Sequence, residues 1–193
     1  GVGAGRNAAI RNASTKYCVV VDDDMIFVQD TDLLFLLESL LEQEFDMIAG
    51  IVHTDGGHTP YEGSLDVIDG VMLQLPVMYT GEIHQCDIVH NFLLSRRKTF
   101  LKNPWAPELK RFGHVDYFYR LKKAGLRVGF NPGVIIEHLP HRDQLYRAVH
   151  TADKGKYRQV FLDMWGLRDL KPMYKGNRYA HFQHNQARNA NGI

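Results

Sequence analysis

The feature that most limits what this chain can fold into is a short apolar run ending in acid: Lys16-Tyr17-Cys18-Val19-Val20-Val21 passes directly into Asp22-Asp23-Asp24. The run is too short for a stable helix and rich in β-branched valine, so it reads as a buried strand. Acids at the C-terminal end of such a strand lie where open α/β sheets bind ligands, in the crevice beyond the strand ends. Adjacent carboxylates repel one another. A hard divalent ion such as Mg²⁺ or Mn²⁺, held by carboxylate oxygens, relieves that repulsion and can bridge to phosphate. Alternation along extended backbone puts Asp22 and Asp24 on one side and Asp23 on the other. A solvated acidic turn or a helix-capping cluster is the competing reading of the same three residues.

The pattern around this run is that of an α/β chain. Gly1 to Gly5 reads as a flexible turn, and Arg6 to Ala13 as a short alanine-rich helix. Asp30 is the expected N-cap of a helix through about Glu42, with Leu33, Leu34, Leu37, Leu40 and Leu41 as its apolar face. Phe45 to Val52 reads as the next strand, giving a parallel strand–helix–strand unit. Two extended segments, Leu65 to Leu75 and Val77 to Ile83, are expected to pair as a hairpin. Asp87 to Ser95 reads as a strand and Leu109 to Ala124 as a helix closed by Gly125. Leu126 to Phe130 reads as a strand that resumes at Val134 and ends on His138. From about His141 one helix to Trp165 is expected, with Met164-Trp165-Gly166 as a helix-ending contact, followed by a polar tail.

Composition removes several classes of function. With 23 basic and 22 acidic residues in 193, the net charge of +1 creates no global field that would recruit nucleic acid or an anionic surface. Any affinity for phosphate must be local. Cys18 and Cys86 form neither a disulfide framework nor a metal-ligand spacing, and they leave the compartment open. No stretch approaches the roughly 20 apolar residues that span a bilayer. One domain is expected over residues 1–193, with its core at about 3–140 and a C-terminal helix and tail at about 141–193. The opening Gly1 and its glycine-rich turn lead to the expectation that the chain begins inside a larger protein.

Several motifs occur in a telling order: Gly5-Arg6-Asn7-Ala8, Val21-Asp22-Asp23-Asp24, Asp87-Ile88-Val89-His90-Asn91-Phe92-Leu93, His114-Val115-Asp116-Tyr117-Phe118 with Arg120 and Gly125, and Val134 to His138. This set resembles the GT-A glycosyltransferases of the family-2-like group, most of all the β-1,4-N-acetylgalactosaminyltransferase type that builds gangliosides and related glycans. The resemblance covers roughly residues 3 to 140. It implies a mixed, mostly parallel central sheet flanked by helices, lacking the first βα units that grip uracil and ribose. It further implies a UDP-sugar donor, a Mn²⁺ or Mg²⁺ cofactor, and a glycan or glycolipid acceptor. Without those first units, the chain on its own is expected to bind UDP weakly and to turn over little or no substrate.

Position by position, the resemblance makes Asp24 the ligand of the diphosphate-bound metal and Asp22 the acid near ribose or metal. His138 matches the strand-end histidine that completes the metal site, and Asp23, although expected to face away from Asp22 and Asp24, is a further candidate for the nucleotide site. Asp116 corresponds to the acid that takes the acceptor-hydroxyl proton in inverting members, yet Asp116 and Arg120 stand four apart on a predicted helix and could simply pair. The common family-2 pattern has a Glu-Asp pair where this chain has Gly113 and His114. Arg6 could reach the nucleotide or its phosphates from a helix start. Asp87 and Asn91 on one strand face, and Trp105 in its proline-flanked loop, are candidates for contacting the acceptor sugar; strand-end polar groups and a local packing anchor are the plainer alternatives. A metal-dependent phosphohydrolase and a non-catalytic carbohydrate-binding domain are the rival readings.

Overall fold

A computed structural model describes residues 1–55, 57–77, 80–140 and 153–171. Its elements in chain order are α1 (Val2–Asn12), β1 (Tyr17–Val20), β2 (Met25–Ile26), α2 (Leu33–Glu42), β3 (Met47–Thr54), β4 (Gly57–His58), β5 (Gly63–Ile68) and β6 (Val71–Pro76). There follow β7 (His84–Cys86), β8 (Leu93–Arg96), α3 (Arg97–Lys102), α4 (Gly113–Lys123), β9 (Val128–His138), α5 (Lys154–Trp165) and β10 (Asp169–Lys171). The expected helix from His141 is therefore described only from Lys154 onward; His141, His150 and the tail beyond Lys171 lie outside the described residues.

The central sheet is mixed, in the order β1-β8-β3-β9-β2, with β4 added to β3 and β7 to β9. β8 runs antiparallel to both β1 and β3, and β3 runs parallel to β9. Consequently β1, β3 and β9 all point the same way and deliver their C-terminal ends to one edge, where Asp22 to Asp24, Thr54 and His138 meet. The parallel register pairs Thr54 with His138, and antiparallel β2 pairs Met25 with the same histidine. Both faces of the sheet are covered by apolar clusters. One is built on Met47, Leu93, Tyr117 and Phe130, the other on Leu36, Leu40, Ile48 and Phe92. Burying these side chains supplies the main driving force for the fold.

Several local expectations are corrected. The glycine-rich opening is helical from Val2, because Gly3 lets α1 press against the loop after α3: a Cβ there would lie 3.0 Å from Trp105 Cβ. Helix α2 is capped by Asp32, whose carboxylate accepts from Phe35 N at 2.9 Å; Asp30 instead uses its carbonyl to receive Ile135 N. Its inward face runs through Leu33, Leu36, Leu37 and Leu40, leaving Leu34 and Leu41 exposed. The hairpin is formed by the first of the two extended segments alone, folded on itself over Gly63 to Pro76. β5 and β6 turn at Asp69-Gly70, both with positive φ, as a tight two-residue turn demands. Of the expected 87–95 strand only Leu93 to Ser95 is regular, as part of β8, and Asp87 to Phe92 is irregular backbone apart from one isolated bridge between Ile88 and Gly63. The polar tail opens with a strand, β10, which pairs parallel with β6.

Candidate functional site

The acids follow β1 as a turn, closed by Met25 N donating to Asp22 O at 3.2 Å. The turn separates their environments. Asp23 is exposed, whereas Asp22 and Asp24 point back into the protein. Asp22 is held through both oxygens: Oδ1 accepts from Arg6 Nη2, and Oδ2 accepts from Asn91 Nδ2 at 3.0 Å. Asp24 is bound more loosely. Its Oδ2 faces His138 Nε2 at 3.1 Å, while Leu139 N donates to its backbone carbonyl at 2.7 Å. The far nitrogen of His138, Nδ1, lies 3.2 Å from Thr54 Oγ1.

Asn91 continues the Asp22 arm inward. Its Oδ1 lies 2.8 Å from His114 Nδ1, and His114 Nε2 lies 2.7 Å from Val89 O. The ring stands edge-on to Tyr61 and Phe118. Burial foremost, with His90 and Arg6 adding to it, pushes the His114 pKa down to about 3, so the ring is neutral near pH 7. Asp87 and Asn91, expected on one strand face, turn to different tasks. Asp87 Oδ2 accepts from Lys122 Nζ at 2.7 Å and from Leu65 N at 2.8 Å, fastening α4 to β5.

Asp116 has no exposed surface. Its Oδ2 accepts from Arg120 Nε at 2.9 Å, which is the i,i+4 pairing raised as the alternative from sequence, and its Oδ1 accepts from Trp165 Nε1 at 3.0 Å. Arg120 also donates to Pro104 O at 2.7 Å. Trp105 is only 2% exposed and stacks on Tyr117 with ring centroids 4.1 Å apart, while Arg6 sits 5.6 Å from its centroid. Its backbone is clamped by Asn7, which donates to Trp105 O at 2.7 Å and accepts from Trp105 N at 2.9 Å. The Arg6-Asn7 pair thus ties α1 both to the acid turn and to the loop before α4.

One carboxylate and one imidazole converge at Asp24 and His138, and no cluster of three or more His, Cys, Asp or Glu suited to a metal occurs among the described residues. That donor set fits a divalent cation that fills the rest of its shell with phosphate oxygens and water, in the manner of Mg²⁺ or Mn²⁺. Residues 1–104 match the sequence profile of Glycosyl transferase family 2. The chain belongs to that family.

Membership places the acid turn, α1 and the Asp87 to Phe92 segment inside the matched region, with Asp116 and His138 beyond it. Named relatives extend the similarity further. The chain is 32% identical over 148 residues to rat β-1,4 N-acetylgalactosaminyltransferase 1, across 70% of this chain and 27% of the relative. It is 31% identical over 170 residues to mouse β-1,4 N-acetylgalactosaminyltransferase 2, across 78% of this chain and 31% of that protein. The human form of the first enzyme is again 32% identical over 148 residues. The chain thus spans less than a third of the length of each of these relatives.

Thr54, Thr59, His90 and His114 were not picked out as site residues from sequence. Thr54 carried a usable signal: it ends a strand parallel to β9, so its side chain falls at the same edge as His138.

Proposed function

We propose that this family-2 domain transfers a sugar, an N-acetylhexosamine or hexose, from a UDP-sugar to a hydroxyl of a glycan or glycolipid, with inversion and with a divalent cation. The supporting observation is the approach of Asp24 and His138 to 3.1 Å at the C-terminal end of β9, where Asp24 directly precedes its neighbour β2. When bound, the cation would neutralise the charge that develops on the leaving diphosphate. Asp24 and His138 would hold it. Asp22 and Arg6 form the polar wall on which ribose or phosphate rests, and exposed Asp23 lies at its rim.

In the transfer, the acceptor oxygen bonds to the anomeric carbon as the bond from that carbon to the diphosphate breaks, and the hydroxyl proton passes to a carboxylate. Asp116 is the proposed base. Asp116 has no exposed surface, so an acceptor hydroxyl reaches it only after Trp165 or Arg120 moves aside. Asn91 is the proposed sugar contact nearest the acids, whereas Asp87 and Trp105 would each have to give up the partners they hold. Phosphomonoester hydrolysis, the rival reading, would need an aspartyl nucleophile or a two-metal cluster, and family membership favours transfer.

The test is UDP binding with and without Mn²⁺. Asp24→Asn is expected to abolish the Mn²⁺-dependent component. Binding that keeps its full Mn²⁺ dependence in this variant would sink the reading.

A further inference from the structure

The residues around the Asp24–His138 pair form a hydrogen-bonded chain that leads away from it through two hydroxyls. His138 Nδ1 lies 3.2 Å from Thr54 Oγ1, and Thr59 Oγ1 donates to Thr54 Oγ1 at 2.7 Å. Thr59 is itself fixed by its backbone: Thr59 N donates to Val52 O at 2.9 Å, and its carbonyl lies 2.7 Å from His90 Nε2. We infer that Thr54, held in place by Thr59, is the positioning residue that sets the orientation of the His138 ring toward Asp24. This inference rests on the proposed role of Asp24 and His138 in holding a cation.

The chemistry of a hydroxyl explains why threonine suits this position. Thr54 Oγ1 spends one lone pair on the Thr59 hydroxyl, which leaves it one proton and one further lone pair. With its proton directed at Nδ1, the ring carries hydrogen on Nε2 and donates to Asp24 Oδ2. With its free lone pair directed at Nδ1–H, the ring turns the bare Nε2 outward, as any cation ligand must. A carbonyl could serve only the second arrangement and an ammonium only the first. Thr54 serves both without loss of a hydrogen bond. Parallel pairing of β3 with β9 holds the two side chains together, since Thr54 and His138 are register partners.

The experiment uses the full chain and three readouts. Mn²⁺ affinity in the presence of UDP is measured by electron paramagnetic resonance of the free ion. The tautomer of His138 is read from long-range ¹H–¹⁵N spectra with Mg²⁺ and UDP, and folding is followed by thermal melting. Thr54→Val, nearly isosteric and without the hydroxyl, is expected to weaken Mn²⁺ binding by about tenfold, and Thr54→Ser to restore it to within about twofold. The parent is expected to move from the Nε2–H to the Nδ1–H tautomer when Mg²⁺ and UDP are added, and Thr54→Val to show a mixture. Thr59→Val is expected to reproduce the effect more weakly, and it stands in if Thr54→Val does not fold. Parent-like affinity and tautomer in Thr54→Val, alongside lost affinity in Asp24→Asn, would overturn the positioning role alone. Unchanged affinity in Asp24→Asn would remove the cation reading and this inference with it.

Discussion

Asp22 and Asp24 stand two residues apart in one turn, yet the protein treats them in opposite ways. Asp22 is the more exposed of the two, at 33% of its side chain against 17%, but both its oxygens are committed to Arg6 and Asn91. Asp24 is less exposed, and among the described residues only Oδ2 has a protein partner, the His138 ring. Exposure is therefore the wrong measure of availability. The number of carboxylate oxygens already held by a donor is the better one, and by that measure Asp116 belongs with Asp22: it is wholly buried, with Arg120 on one oxygen and Trp165 on the other. Two acids have both oxygens tied to the fold around the site, and the third has one oxygen without a protein donor among the described residues.

On this division, the doubly held acids should cost stability when removed and the open one should not. The largest loss is expected at Asp116→Ala, which leaves Arg120 and the Trp165 indole without their shared partner. Breaking such a pair costs about 3 kcal/mol, to be read from urea unfolding midpoints. A loss below about 1 kcal/mol would move Asp116 into the open class and make it a readier base than its geometry shows.

Asp22→Ala comes next. Arg6 and Asn91 lose a charge-assisted and a neutral-donor bond respectively, worth about 2 kcal/mol together after allowing for their partial exposure. Restoring stability with Arg6→Met in the same chain would show that the stranded guanidinium carries most of that cost.

The Asp22 arm also has a pH signature. His114 has its pKa lowered to about 3, mainly by burial, while in the unfolded chain the ring titrates near about 6.5. Below that unfolded value the unfolded state binds more protons than the native one. This ring's contribution to stability is therefore complete above about pH 6.5 and is lost as pH falls toward about 3, at about 1 kcal/mol per pH unit. His114→Gln should flatten the slope of unfolding free energy between pH 6 and 4, both roughly chosen inside that window. An unchanged slope would show that the Asn91–His114 contact is not closed to protons.

How much of this was legible beforehand follows from distance along the chain. The acid turn could be read because strand and acids are contiguous, and His138 because it ends an apolar run of its own. The tight turn at Asp69-Gly70 was also written locally, and was missed only because the flanking apolar residues run straight through it. Asp32 lost its place as N-cap to Asp30 in the reading because both precede the same leucines; only the bond to Phe35 N separates them. The double hold on Asp22, by contrast, depends on Asn91, which lies in irregular backbone 69 positions away. Trp105 looked available because prolines flank it, yet Gly3 and Asn7 draw its loop against α1 and bury the ring. No periodicity encodes either outcome, since each arises where two distant segments cross.

The smallest stability change is expected at Asp24→Ala, and it is the most telling. The lost contact to His138 is a single bond in a half-buried setting, worth no more than about 1 kcal/mol. Removing one of three adjacent negative charges offsets part of that loss. The same variant should nevertheless lose its Mn²⁺-dependent UDP binding by at least about tenfold, measured beside Asp22→Ala under identical conditions. A chain that melts like the parent while losing the cation separates ligand from scaffold within one turn. If Asp24→Ala instead melts as low as Asp22→Ala, the Asp24–His138 contact is a structural clasp, and the cation site must be sought elsewhere along the edge formed by β1, β3 and β9.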